Sequence, residues 1–266
     1  YIILRRNKQN NEQDMVYPFS LNFFITGDSL GDIDKFKAGD IDCIVVDNFD
    51  KKLMQDNKYQ IYQTKSYGLI INPNSENINK KDLKYALAAS IDRTQFSVDL
   101  PEDLSIAYGI IPSEISICGK RYRDISADAV LSIYKPSEAE KMWKNELLSR
   151  NLVSIDGIKI TVPESFSGKS VISSVTEQWQ TNLEFFCGIE IVSEREYNSK
   201  LKDGAYDIAL VELNADFNDA AEFINYFKSG SDKNFTEYIN PLIESANAKL
   251  FTSKKLSEAV EIIEKS

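Results

Sequence analysis

The sequence predicts an α/β fold with a central mixed, mostly parallel sheet flanked by helices. Three observations carry that expectation. Short apolar runs alternate along the chain with stretches of helical period, the pattern of layered α/β architecture. The segment from Ile158 to Leu213 reads β-α-β-α-β, and crossover helices between apolar strands imply parallel pairing. Finally, the 266 residues are 42% hydrophobic and 27% charged, an ordinary globular composition.

The elements follow in order. "YIILRRN" at the start reads as a strand, and "DIDCIVV" (residues 40–46) as a buried one beside Gly39. "YGLIIN" (residues 67–72) is a third strand, stopped by Pro73. In "NKKDLKYALAASIDRTQF", Asn79 is placed to cap a helix and Asp82 sits at its third position. Leu83, Ala86, Leu87 and Ile91 then share one face. "YGIIPSEISICGKRYRD" reads as a loop broken by Pro112 and Gly119.

Pro136 suits the first turn of the next helix, where Ala139, Met142, Trp143 and Leu147 lie on one side. "IKITVP" is a strand. Val171, Ile172, Val175, Trp179, Leu183 and Phe186 mark a long helix, with Gly188 expected as its cap. "IEIV" is a strand, "EYNSKLKDG" a short helix closed by Gly204, and "YDIALVEL" the most apolar strand of the set. "KKLSEAVEIIEKS" closes the chain as an amphipathic helix. The strand-like start and the unstopped final helix both read as cuts in a longer polypeptide.

Charge and composition exclude several functions. Acids outnumber bases 41 to 31, a net charge of −10 that repels phosphate backbones, so no nucleic acid partner is expected. The chain contains no histidine, which removes the commonest general base and transition-metal ligand. A Ser-His-Asp or Cys-His centre is therefore impossible. No GxSxG, Walker loop or GxGxxG appears, and no cofactor is expected. "DNFDKKLMQDN" lacks the Gly and the terminal Glu of a calcium loop. Of the three cysteines, Cys43 and Cys187 lie in apolar runs that read as buried, and Cys118 in a loop. Trp143 and Trp179 read as core. Asp92-Arg93 reads as a charge pair at a helix end.

One acid stands apart. Open α/β sheets bind ligands beyond the carboxyl ends of their strands, and Asp216 follows "YDIALVELN" directly. It either caps the helix containing Ala220, Phe223, Ile224 and Phe227 or meets a positive charge on a ligand. Asp219 is better placed for the cap, which leaves Asp216 without an evident structural job.

Several motifs then fall into a familiar order. "LKYALAASIDRTQF", "AYGIIP", "YKPSEAEKMW", "EFFCGIEIVSEREYNSKLKDGAYDIALVELNADFNDAAEF" and "SGSDKNFTEYINPLIESANAK" together resemble the extracytoplasmic solute-binding proteins of oligopeptide and dipeptide ABC importers. The resemblance covers essentially the whole chain, and it is the shared order that makes it specific. There are departures: Lys135 stands where the family usually has Asp, Leu213 where it often has Trp, and Ala220 where it often has Pro.

The resemblance implies a periplasmic-binding-protein type II-like lobe. Residues 1–266 would form the second lobe of a two-lobed protein, with the first lobe and a signal or lipoprotein sequence lying outside this chain. It implies extracytoplasmic binding of peptides for an ABC permease, with no catalysis and no metal. Contact with a membrane would come only through an upstream lipid anchor. Asp216 would meet the peptide's α-amino group, while Leu213 and Asn214 would pair main chain to main chain with the ligand. Two alternatives stay open: a non-peptide solute such as an oligosaccharide or chelate, and a ligand-sensing domain of an intracellular regulator.

Overall fold

The structure, a computed structural model, describes residues 1–9, 17–26, 29–45, 64–98, 100–101, 103–107, 109–126, 134–235, 241–252, 258 and 261. The chain divides into two compact units, residues 1–57 and 58–266.

In the first unit, β1 (Ile2–Arg5) pairs antiparallel with β2 (Ser20–Phe23), from Ile2 opposite Phe23 to Arg5 opposite Ser20. The ribbon leaves Ile2, Ile3, Leu4, Leu21 and Phe23 exposed. Helix α1 (Ser29–Ala38) follows, a helix that the apolar periodicity did not announce. It closes with the Asp40 amide on the Lys35 carbonyl (2.9 Å) and the Gly39 amide on that of Phe36 (3.1 Å), a paired C-terminal lock. The strand expected over residues 40–46 does not form in its described part, 40–45, which is turn and irregular chain. Cys43 is exposed there rather than buried, and Val45 is 92% exposed. An apolar run supplies side chains for a strand but not the neighbouring backbone that a strand must pair with.

The second unit holds the sheet. Its order is β3 (Lys65–Ile71), β8 (Ile208–Asn214), β6 (Lys159–Pro163), β7 (Gly188–Val192). β6 runs parallel to both β7 and β8, and β3 is antiparallel to β8, so the sheet is mixed and mostly parallel as expected. Alternation along the strands sends side chains to two cores. On one face Leu69, Ile71, Ile160, Val162, Ile208 and Leu210 meet α2 (Lys81–Ala89), α3 (Pro136–Ser149) and α4 (Lys169–Leu183). On the other, Ile70, Ala209 and Val211 meet Val192 and the Tyr197 and Leu201 faces of α5 (Glu194–Asp203). Fully burying side chains of this size contributes about 1.5–3 kcal/mol each, which is why both faces must be covered.

The helix ends show where local rules hold and where they yield. Ser193 caps α5 by accepting the Glu196 amide at 3.4 Å, and Gly204 takes φ +63°, a left-handed value that costs a glycine nothing. Asn79 does not cap α2. The cap position is Lys80, while the Asn79 amide group bonds the Pro73 carbonyl and its oxygen accepts from Lys84 at 3.0 Å. Nor does Gly188 cap α4. The helix stops at Leu183 with Glu184 in the left-handed region, and Gly188 already begins β7. That early stop buries Phe185 instead of Phe186, between Trp143 (4.9 Å between centroids) and Trp179 (5.8 Å), and leaves Phe186 62% exposed. Both tryptophans are core, as expected.

The supposed loop before α3 contains a small hairpin, β4 (Ser116–Ile117) with β5 (Lys120–Arg121). Its two-residue turn, Cys118-Gly119, has φ positive at both positions, the geometry that closes hairpins with matching twist. The hairpin packs with α6 (Ala221–Asn225) and α7 (Pro241–Thr252) in a third core containing Ile115, Ile117, Phe223, Ile224, Ile243 and Ala246. The amphipathic helix expected at the chain's end lies almost wholly outside the described residues, as does the segment "DNFDKKLMQDN". Among the described residues no helix is long and apolar enough to cross a membrane.

Candidate functional site

The carboxyl end of β8 is where the sheet opens. β6 pairs with β8 only at Ile160–Ile208 and Thr161–Ala209. Beyond that point β8 continues to Asn214 with β3 along its other side, in a register that sets Ser66 opposite Leu213 and Lys65 opposite Asn214. The Asn72 amide donates to the Asp207 carbonyl at 2.9 Å, one step past the last strand pair. Because hydrogen-bonded pairs alternate in an antiparallel ladder, Ala209, Val211 and Leu213 turn their main-chain groups to β3. Leu210, Glu212 and Asn214 turn theirs the other way, to the edge that β6 leaves.

Two tyrosines occupy part of that edge. Tyr197, buried on α5, donates its hydroxyl to the Leu210 carbonyl. Tyr226, just after α6, places one hydroxyl oxygen 2.7 Å from both the amide nitrogen and the carbonyl oxygen of Asn214, accepting from one and donating to the other. Glu212 lies between them. Its carboxylate is held from β3, by the Tyr67 hydroxyl at 2.8 Å and the Lys65 ammonium at 3.0 Å. Burial first, and then the Glu212 carboxylate, push the Tyr67 hydroxyl above its ordinary pKa and keep it a donor.

The three residues expected at the site therefore have distinct situations. Leu213 is half-buried, packed against both the α5 core and the α6–α7 core, and its main chain faces β3. Asn214 offers its main chain to the edge, where Tyr226 holds it. Asp216 lies in the turn after β8. The neighbouring alanines take the inward positions, Ala220 fully buried and Ala215 packed against the third core, so Asp216 points outward with its side chain 70% exposed. The carboxylate is therefore solvent-facing rather than buried. Its ion pair is with Lys233, Nζ to Oδ2 3.5 Å. The Lys233 ammonium also sits over the Tyr226 ring, 4.9 Å from its centroid. Burial works against that charge, but Tyr226, Asp216 and Glu222 outweigh it and hold the lysine pKa above its ordinary value.

Asp219 does what its spacing implied, accepting the Ala221 amide at 2.8 Å at the start of α6. The turn is fastened to β4 by the Ser116 amide on the Asn218 side chain (2.7 Å) and the Ala220 amide on the Ser116 carbonyl (2.8 Å). Elsewhere, the Asp92 carboxylate accepts from Thr94 and Gln95, so it caps the 3₁₀ turn over Arg93–Val98. Sequence spacing gave no sign of Tyr226 and Lys233. Among the described residues, no group of three or more Cys, Asp or Glu is arranged to hold a metal ion.

The model of the bacterial extracellular solute-binding proteins, family 5 Middle, matches residues 1–235. The chain belongs to that family. Among curated relatives, this family 5 chain is 23% identical to the periplasmic oligopeptide-binding protein OppA of Haemophilus influenzae, over 92% of its own length and 48% of the relative's. It thus spans about half the length of the curated relative it matches. Among solved structures, it superposes on Haemophilus influenzae OppA in complex with the peptide RPPGFSPFR with a TM-score of 0.68 at 20% identity, covering 99% of this chain and 52% of that one. Listeria monocytogenes OppA bound to peptide gives 0.63 at 17% identity, covering 98% and 52%. These likenesses establish the type II binding-protein fold for the family 5 chain, and its family is one of bacterial extracellular solute-binding proteins.

Proposed function

We propose that this chain carries part of the ligand site of a peptide-binding protein that serves an ABC permease. Its role is binding, not catalysis. The protein has two lobes that close on the ligand, and the closed form is what the permease meets. The chain supplies the second lobe, with the site on the unit of residues 58–266. A lipid anchor upstream of this chain would hold the protein at the membrane.

The observation that carries this reading is the end of β8, where a strand edge that β6 leaves and an outward-facing acid occur within five residues. An extended peptide adds to such an edge through main-chain hydrogen bonds, which tolerate any sequence. The register offers Glu212 and Asn214 for that pairing, while Leu213 contributes the packing that fixes the strand end. Asp216 then receives the peptide's amino end through a charge-assisted hydrogen bond, which sets where the peptide begins. Of the two acids here, Glu212 has Tyr67 and Lys65 and Asp216 has Lys233, and Asp216 is the more exposed. Phe217, 62% exposed beside it, offers an apolar surface to a ligand side chain. The peptide-bound OppA structures of Haemophilus influenzae and Listeria monocytogenes add support by fold.

Native mass spectrometry of the full-length protein, purified without refolding, tests the reading. Co-purified peptides of mixed sequence are the expected result. A single non-peptide solute in their place would overturn it.

A further inference from the structure

Both features that would recognise a ligand's first residue are occupied by this chain itself. The Tyr226 hydroxyl accepts from the Asn214 amide and donates to the Asn214 carbonyl, each at 2.7 Å. This is the reciprocal exchange that a residue on a neighbouring strand makes, here condensed into one atom. The Lys233 ammonium is 3.5 Å from the Asp216 carboxylate, where an α-amino group would sit. The two stand-ins are also joined to each other, because Lys233 rests on the Tyr226 ring at 4.9 Å. An ammonium and a hydroxyl with paired donor and acceptor roles are therefore held together at the end of β8, matching the polar groups of an amino-terminal residue.

We propose that Tyr226 and Lys233 are an intramolecular substitute for the first residue of the bound peptide. Ligand binding is then an exchange. The peptide's main chain replaces the Tyr226 hydroxyl on Asn214, and its amino group replaces Lys233 on Asp216. The ionic half of the substitute is built to leave. Lys233 and Asp216 are both well exposed, with side chains 48% and 70% accessible, and exposed ion pairs hold weakly. The Tyr226 ring is as buried as that of Tyr197 beside the Leu210 carbonyl, so on this half the ligand breaks only the hydroxyl's contacts with Asn214. The exchange also confers selectivity. A ligand without a free amino group displaces only half of the substitute and leaves Lys233 on Asp216.

This inference rests on the peptide reading of the same site, and the experiment separates the two. Binding of alanine tetrapeptide and its N-acetylated form is measured by calorimetry on the full-length protein and its Lys233→Met, Tyr226→Phe and Asp216→Asn variants. Lys233→Met should tighten the free-amino peptide about two- to fivefold, the range of an exposed ion pair, and leave the acetylated one unchanged. Tyr226→Phe, which keeps the ring, should tighten both by about five- to hundredfold, the net worth of the two hydrogen bonds that its hydroxyl makes. Weaker or unchanged binding in either variant would overturn the substitute. If Asp216→Asn weakens the free-amino peptide while Lys233→Met does not tighten it, the inference falls and the peptide reading stands. If neither peptide binds the wild-type protein, both fall. Hydrogen exchange on the empty protein gives a check independent of ligand: Tyr226→Phe should speed exchange of the Asn214 amide, and an unchanged rate would contradict the contact.

Discussion

The indole nitrogen of Trp179 donates to the main-chain carbonyl of Leu87 across 2.9 Å, tying the middle of α4 to α2 over the same face of the sheet. Both residues are buried, so the bond leaves the Trp179 donor satisfied where no water reaches it. It also fixes the rotation of α4. Rotation decides which of the two phenylalanines after the helix enters the core.

That choice is testable at one position. Phe185 is 1% exposed between two tryptophans and Phe186 is 62% exposed. Phe185→Ala should cost about 3–5 kcal/mol in urea unfolding. Phe186→Ala should stay within about 0.5 kcal/mol of the parent. Equal costs would mean that α4 ends elsewhere.

Asn72 makes the second case. Its side-chain amide donates to the carbonyls of Gly204 (2.8 Å) and Tyr206 (2.6 Å), and its oxygen accepts the Asn74 amide at 2.9 Å, all from a 6% exposed position. It joins the end of β3 to the start of β8 and so holds the register on which Glu212 and Asn214 depend. Asn72→Ala should lower stability by about 2–3 kcal/mol, since buried groups lose their partners. A neutral effect in thermal unfolding would show that the register is set elsewhere.

The cysteines differ in chemistry. Burial pushes the Cys187 thiol up to about 12, whereas Cys43 and Cys118 are exposed. At pH 8 an alkylating reagent should modify Cys43 and Cys118 well before Cys187, because the thiolate is the reactive form. The sign of the linked stability follows. Between the ordinary value of 9.0 and about 12, the unfolded chain has lost the Cys187 proton and the folded one has not. Stability should therefore fall as pH rises through that window. Cys187→Ala should flatten the alkaline limb of a stability-versus-pH curve. An unaltered limb would contradict the assignment.

Much of this was legible in the residues, for identifiable reasons. The β6–α4–β7–α5–β8 run carries both of its signals locally, apolar strands and helices of 3.6 period with Ser193 and Gly204 at the ends of α5. Asp219 as a cap needs only its spacing from Ala221. What failed depended on partners distant in sequence. An apolar run at residues 40–45 does not say whether a strand lies beside it. The end of α4 turns on a left-handed Glu184, a conformation that its residue type does not favour. The site divides the same way. Asp216 could be found from its place after a strand. Tyr226 and Lys233 follow Asn214 and Asp216 by 12 and 17 residues, across a turn and a helix, and only the folded chain brings them together.

The central claim is that Asp216 receives a peptide's amino end. Calorimetry with the full-length protein and its Asp216→Ala variant tests it most directly, using one tetrapeptide with a free and with an acetylated amino end. A lost hydrogen bond between charged groups is worth about 1.5–3 kcal/mol. The variant should therefore bind the free-amino peptide at least about tenfold more weakly, and the acetylated one as the parent does. Equal losses for the two peptides, or no loss for either, would contradict the role assigned to Asp216.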